Sequence, residues 1–209
     1  MALGRHEEKA SREENMSGLL EMVEEKAHQR TITVTTYKAG TGKAVVEGRL
    51  VDHRFKENFL LTGEKIPVGD FHDMIVRLLV DTTSLTIEDV EVELVKVPRQ
   101  ECSALYDSLS VIKGIRISKG FTRKIKSLLG GTKSCSHLRE LAEAIGPAVI
   151  QGVFSIRAGN VSELRALMDD PQMRRVFANS IVNSCHVWRE DGPEFKKVFG
   201  LLNDLQKGS

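Results

Sequence analysis

The chain has 209 residues, 41% of them hydrophobic and 28% charged, with 30 Lys and Arg against 29 Asp and Glu. That length suits one medium domain with appendages, and the balanced charge excludes a globally basic nucleic-acid binder while leaving room for a local basic patch. Apolar runs of a few residues exclude a membrane-spanning helix. Residues 1–8 lack the apolar stretch of a secretory signal, and three cysteines, an odd count, point to reduced thiols, so a cytoplasmic location is expected.

Residues 1–30 read as a helical arm, with Met16, Leu19, Leu20 and Val23 at helical spacing among charged residues. At Thr31 the period changes. Residues 31–37 are β-branched and alternating, 38–43 are turn-like, and 44–55 complete a hairpin. The Gly40-Thr41-Gly42-Lys43 run in that turn is not a phosphate loop: the upstream glycine is missing, Ala44 stands where Ser or Thr is needed, and the flanks are strand–turn–strand. Residues 56–70 are a loop carrying Gly63, Pro67 and Gly69. Strands follow over 74–81 and 87–97, turning at 81–84. After Pro98 the pattern is helical over 100–112, 119–129 and 135–151, with Gly130-Gly131 ending the middle helix. More helices are expected over 160–169, over 171–182 with Pro171 in the first turn, and over 194–205. Strands first and helices after is an α+β pattern: an antiparallel sheet of about four strands with helices packed on one face. The expected units are the arm (1–30), a core domain (31–152) and a helical extension (153–209).

Several groups of residues are placed to carry chemistry. In Asp70-Phe71-His72-Asp73, an imidazole and two carboxylates sit where a loop enters a strand, a setting that suits a metal ion, a moving proton or merely a solvated loop end. In Lys133-Ser134-Cys135-Ser136-His137, the helix start and Lys133 should lower the Cys135 pKa. His137 adds an imidazole there, and Glu140 shares its helix face; a serine N-cap is the plain alternative. Cys102 follows the last strand in the same setting, and two thiols at two helix starts suit a soft metal. Adjacent Cys185 and His186 would face opposite sides of a strand, so structural burial is the expectation. From Lys113 to Arg139 there are eight basic residues and no acidic one. This stretch is a solvated face or a site for phosphate or an acidic partner; with Phe121 its only aromatic, nucleic acid is not expected. No hydrolase elbow, zincin helix or dinucleotide-binding glycine motif is present.

Two resemblances rest on quoted residues. Val46-Glu47-Gly48-Arg49-Leu50-Val51-Asp52, His72-Asp73-Met74 with Arg77-Leu78 and Asp81, Cys102, Gly114-Ile115-Arg116-Ile117 with Gly120-Phe121, and Leu129-Gly130-Gly131 leading to Cys135-Ser136-His137-Leu138-Arg139-Glu140-Leu141 carry the first. With the Cys185-to-Gly192 tail they make the chain resemble the bacterial "domain of unknown function 2889" family, which implies no mechanism. The second is weaker and rests on Phe71-His72-Asp73-Met74, Val80-Asp81, Ile87-Glu88-Asp89-Val90, Cys102, Ile112-Lys113-Gly114 and Lys133-Ser134-Cys135-Ser136-His137-Leu138. Through these, residues 68–150 look like the iron–sulfur scaffold family of IscU and the NifU N-terminal domain, implying an IscU/SufE-like core. By that resemblance Asp73 matches the scaffold aspartate, and Cys102 and Cys135 match its second and third cysteines. His72 lies near the place of the first cysteine, which is missing. Leu129-Gly130-Gly131-Thr132-Lys133 replaces the family's proline-rich chaperone motif.

The favoured reading is a scaffold-like metal-binding protein, with zinc or iron held by Asp73, Cys102 and Cys135 and by His72 or His137. Two alternatives stay open. One is an enzyme with Cys135 as thiolate, His137 or His72 as base, and an anionic substrate on 113–139. The other is an interaction module that dimerises through the arm and helices 160–205, with its cysteines in the core. A protein partner or homo-oligomer is expected, without membrane or nucleic acid.

Overall fold

The computed structural model describes residues 17–198. Expectations for 1–16 and 199–209 lie outside the described residues. Of the expected arm, the helical part described is one turn, α1 (Ser17–Leu20), followed by a turn at 21–22 and irregular chain up to 27.

The sheet elements are β1 (His28–Lys38), β2 (Lys43–Arg54), β3 (Asn58–Phe59), β4 (Lys65–Ile66), β5 (Gly69–Asp81) and β6 (Ile87–Lys96). Strands β1, β2, β5 and β6 form one antiparallel sheet in that order, and β3 with β4 makes a separate two-residue ladder inside the expected loop. The 31–55 hairpin is present, with Gly40 and Gly42 at φ 63° and 72° in its turn, where a side chain would be strained. The next turn is held by the Asp81 carboxylate, which accepts from the Thr83 and Ser84 amides at 3.0 and 2.7 Å.

Period-two alternation decides which face is buried. Ala44, Val46 and Leu50 of β2, and Met74, Val76, Leu78 and Val80 of β5, point to one side and are almost fully buried. The other side carries ion pairs such as Arg77 with Glu47 and Glu93.

The expected helix over 100–112 is instead two 3₁₀ turns, Gln100–Leu105 and Ser110–Ile112. The Ser108 hydroxyl donates to the Leu105 carbonyl at 2.7 Å, competing with an α-helical ladder. Residues 114–117 then lie against the start of β6, with Gly114 N–H donating to the Ile87 carbonyl at 2.7 Å and Ile117 N–H to that of Leu85 at 2.8 Å. Among the described residues helices follow as α2 (Phe121–Leu129), α3 (Ser136–Arg157), α4 (Val161–Asp169) and α5 (Pro171–Ile181), and residues 193–198 are helical at the start of the expected 194–205 helix.

Helix α3 covers the buried sheet face with Leu138, Leu141, Ala142, Ile145, Val149 and Val153, at helical spacing. Each large side chain wholly buried there contributes about 1.5–3 kcal/mol. The helix sits close because glycines stand at the contact on both sides. A Cβ on Gly48 of β2 would meet Ile145 Cδ1 at 2.8 Å, and one on Gly152 of the helix would collide with the Thr36 side chain of β1. The helix therefore runs through Gly152, beyond the expected end at 151, to Arg157. There the guanidinium donates to the Thr82 carbonyl at 3.2 Å, tying the helix end to the β5–β6 turn.

Candidate functional site

The alternation that buries the sheet's apolar residues also puts three polar ones on the helix-facing side. Arg30 pairs with Asp52 across β1 and β2, and Asp52 pairs with His72 across β2 and β5, so the three form a row. Beyond Asp52 the register slips, with His53 opposite Asp70 and Phe71 left over. This bulge ends the regular ladder at the row. His137 arrives from the first turn of α3, whose N-cap is Cys135 with Sγ accepting from the Leu138 amide at 3.2 Å.

Asp52 is the centre of the group and only 3% exposed. Arg30 grips it bidentately, Nε to Oδ1 at 2.7 Å and Nη2 to Oδ2 at 2.8 Å. His28 Nε2 lies 3.2 Å from Oδ1 and His72 Nδ1 3.0 Å from Oδ2. His137 Nε2 lies 3.4 Å from Oδ2, and the His72 and His137 rings are 4.0 Å apart at their centroids. The second Arg30 arm, Nη1, donates to Glu140 Oε2 of α3 at 2.5 Å. Asp52, His72 and His137 each offer one ligand atom, all within 4.8 Å of one another.

The charge states follow from these neighbours. Burial works against ionisation of Asp52, but the Arg30 hydrogen bond and charge, with the histidines, outweigh it and hold the carboxyl down at about 2. Burial, reinforced by His137, pushes His72 down to about 4 against the pull of Asp52. Burial also lowers His137, with the Arg30 charge adding to it. At neutral pH the carboxylate is therefore charged and both imidazoles are neutral, the form in which a ring nitrogen binds a metal or accepts a proton.

Of the residues singled out from sequence, His72 and His137 come together. Asp73 does not join them: one residue along a strand, it faces the other side of the sheet, where Arg49 holds it bidentately at 2.8 and 2.6 Å. Cys102 lies half-buried in the first 3₁₀ turn, and Cys135 is half-buried against the core. Neither joins the Asp52 group among the described residues. The expected activation of Cys135 is overturned, since burial raises its pKa more than the helix-start amides lower it. Cys185, expected to be buried, is exposed in the turn after α5. Sequence reasoning missed Asp52 and Arg30. The available signal was parity: Asp52 continues the inward series Ala44, Val46, Gly48, Leu50, and a carboxylate at a core position needs partners.

A family model described as "Protein of unknown function (DUF2889)" matches residues 28–151. That span runs from the start of β1 into α3 and contains every residue of the Asp52 group. No curated protein and no solved structure matches the chain.

Proposed function

The chain belongs to the DUF2889 family, whose description assigns no activity, and from its Asp52 group we propose that it binds one divalent transition-metal ion through Asp52, His72 and His137. The supporting observation is the convergence of three donors from β2, β5 and α3 within 4.8 Å. In a tetrahedral site with bonds of ~2.0–2.1 Å, neighbouring ligand atoms stand about 3.3–3.4 Å apart. Oδ2 of Asp52 is 3.0 Å from His72 Nδ1 and 3.4 Å from His137 Nε2. The second distance is long for a hydrogen bond but ordinary for two ligands of one ion. In the metal-free protein a shared proton joins Asp52 and His72, and an ion would take that proton's place.

Arg30 acts as the outer partner that orients the carboxylate, as ligating carboxylates generally require. Two nitrogens and one oxygen suit zinc or ferrous iron better than a cluster that needs thiolates. Three protein ligands leave a fourth position for water or a small ligand.

The test is titration of chelator-treated protein with Zn²⁺, and with Fe²⁺ under low oxygen, followed by calorimetry and elemental analysis. One equivalent should bind. His72→Ala and His137→Ala should each weaken binding by at least about tenfold, whereas Asp73→Asn, Cys102→Ser and Cys135→Ser should leave it unchanged. Binding that survives both histidine variants, or that disappears with the cysteines, would refute this assignment.

A further inference from the structure

The basic stretch from Lys113 to Arg139 has a structural counterpart that the metal site does not use. Several of its cations are neutralised: Lys113 pairs with Asp89 at 2.5 Å, and Lys126 and Arg139 approach Glu143 at 3.7 and 3.5 Å. Arg116 and Lys119 have no ion pair among the described residues, and both line a cavity of about 450 Å³ between the 116–119 segment and α5. The volume lies in the range of small-molecule sites, roughly 300–1,000 Å³.

Both walls are anchored. Arg116 forms a β-bridge with Thr86, and its neighbours Ile115 and Ile117 are buried. On the opposite wall Val176 of α5 is 4% exposed and belongs to the core. Asn183, two residues past the end of α5, lies in the left-handed region at φ 58°. Its amide N–H donates to the Trp188 carbonyl at 2.9 Å, and its side-chain oxygen accepts from the Glu190 amide at 3.0 Å. The oxygen is thus occupied, and the NH₂ end of the side chain makes no hydrogen bond among the described residues.

The lining is rich in donors: two cations, the amides of Asn179 and Asn183, and the hydroxyl of Ser118, while the Ser180 hydroxyl donates to the Val176 carbonyl at 2.8 Å and is left as an acceptor. Glu190 is its one acidic member and can accept from a ligand hydroxyl. We propose that this cavity binds a sugar phosphate, with Arg116 and Lys119 holding the phosphate and the amide, hydroxyl and Glu190 groups meeting the sugar hydroxyls. Guanidinium and ammonium donors, here two cations against the single carboxylate of Glu190, are the usual chemistry of phosphate recognition. The concave shape and a lining without aromatic side chains favour a small phosphorylated molecule over a polynucleotide, which would call for stacking platforms.

Calorimetry on the full-length, chelator-treated protein tests this, with ribose 5-phosphate, ribose, inorganic phosphate and a single-stranded oligonucleotide as probes. Ribose 5-phosphate should bind saturably at one site, inorganic phosphate more weakly, and ribose not detectably. Arg116→Ala and Lys119→Ala should each weaken ribose 5-phosphate binding by about tenfold, ~1.4 kcal/mol. Arg123→Ala, an exposed cation outside the cavity, and His72→Ala, in the metal group, should leave it unchanged. Three results would overturn the proposal: no saturable binding of ribose 5-phosphate, binding indifferent to Arg116, or inorganic phosphate or the oligonucleotide binding as well as the sugar phosphate.

Discussion

Replacing Asp52 with Asn changes one oxygen to an NH₂ group and removes the charge. Arg30 donates from two different nitrogens to the two carboxylate oxygens, so whichever way the amide turns, one donor faces another donor. Breaking a buried ion pair from one side costs about 3–5 kcal/mol. The Arg30 side chain is 33% exposed and keeps Glu140, so part of that cost is recovered and about 2–3 kcal/mol remains. Linkage gives an independent figure. The carboxyl stands at about 2 in the fold against an ordinary 3.8, and at about 1.4 kcal/mol per unit this is worth about 2.5 kcal/mol.

A depressed carboxyl contributes its stability above the unfolded value and loses it as pH falls through the folded one. Wild type and Asp52→Asn should therefore differ fully at pH 7 and converge between pH 3.8 and about 2. For a chain of this size the expected fall in Tm is about 5–10 °C. Urea unfolding with chelator present, at neutral pH and along an acid series, measures both. A variant within about 0.5 kcal/mol of wild type at pH 7 would refute the view that Asp52 anchors a buried ion pair.

Acid should also act through His72. Its folded pKa of about 4 lies below the ordinary 6.5, so stability is complete above 6.5 and falls by up to about 1.4 kcal/mol per pH unit towards 4. His72→Gln should flatten that slope in urea melts of chelated protein, and an unchanged slope would remove His72 as its source. Alkylation with iodoacetamide at pH 7 should modify exposed Cys185 first and half-buried Cys135 slowly, because burial raises the Cys135 thiol; fast, low-pH labelling of Cys135, read by peptide mass mapping, would reinstate an activated thiolate. Asp81→Ala should cost at least about 1 kcal/mol in thermal melts, since it removes the oxygen that accepts from the Thr83 amide, the Ser84 amide and the Ser84 hydroxyl. No change would mean that the β5–β6 turn holds without these bonds.

Local signals made much of the fold legible. The period of two from Thr31, the glycines of the first hairpin turn, the Asp81–Ser84 turn and the period of α3 each describe a neighbourhood of a few residues, where chain sterics and side-chain alternation act directly. They fail where a local preference is overruled from a distance. The expected helix stops at 151, yet Gly152 is the residue that lets α3 approach Thr36, and the helix continues to Arg157. Residues 100–112 have helical composition but only 3₁₀ turns, shaped by the Ser108 hydroxyl and by the contacts of 114–117 with Leu85 and Ile87.

The candidate site divides in the same way. The sequence by itself determined the order of the main strands and helices and two histidines placed at a strand mouth and a helix start. Only the tertiary structure decided which of their neighbours they meet. Side chains adjacent in sequence on a strand point apart, so Asp73 is carried away from His72, while pairing of β2 with β5 brings Asp52 to it from 20 residues away. The same packing buries Cys135 and raises the pKa that its helix start alone would lower. Such partnerships depend on sheet register and on the seating of α3, which are long-range properties that no local pattern of residues encodes.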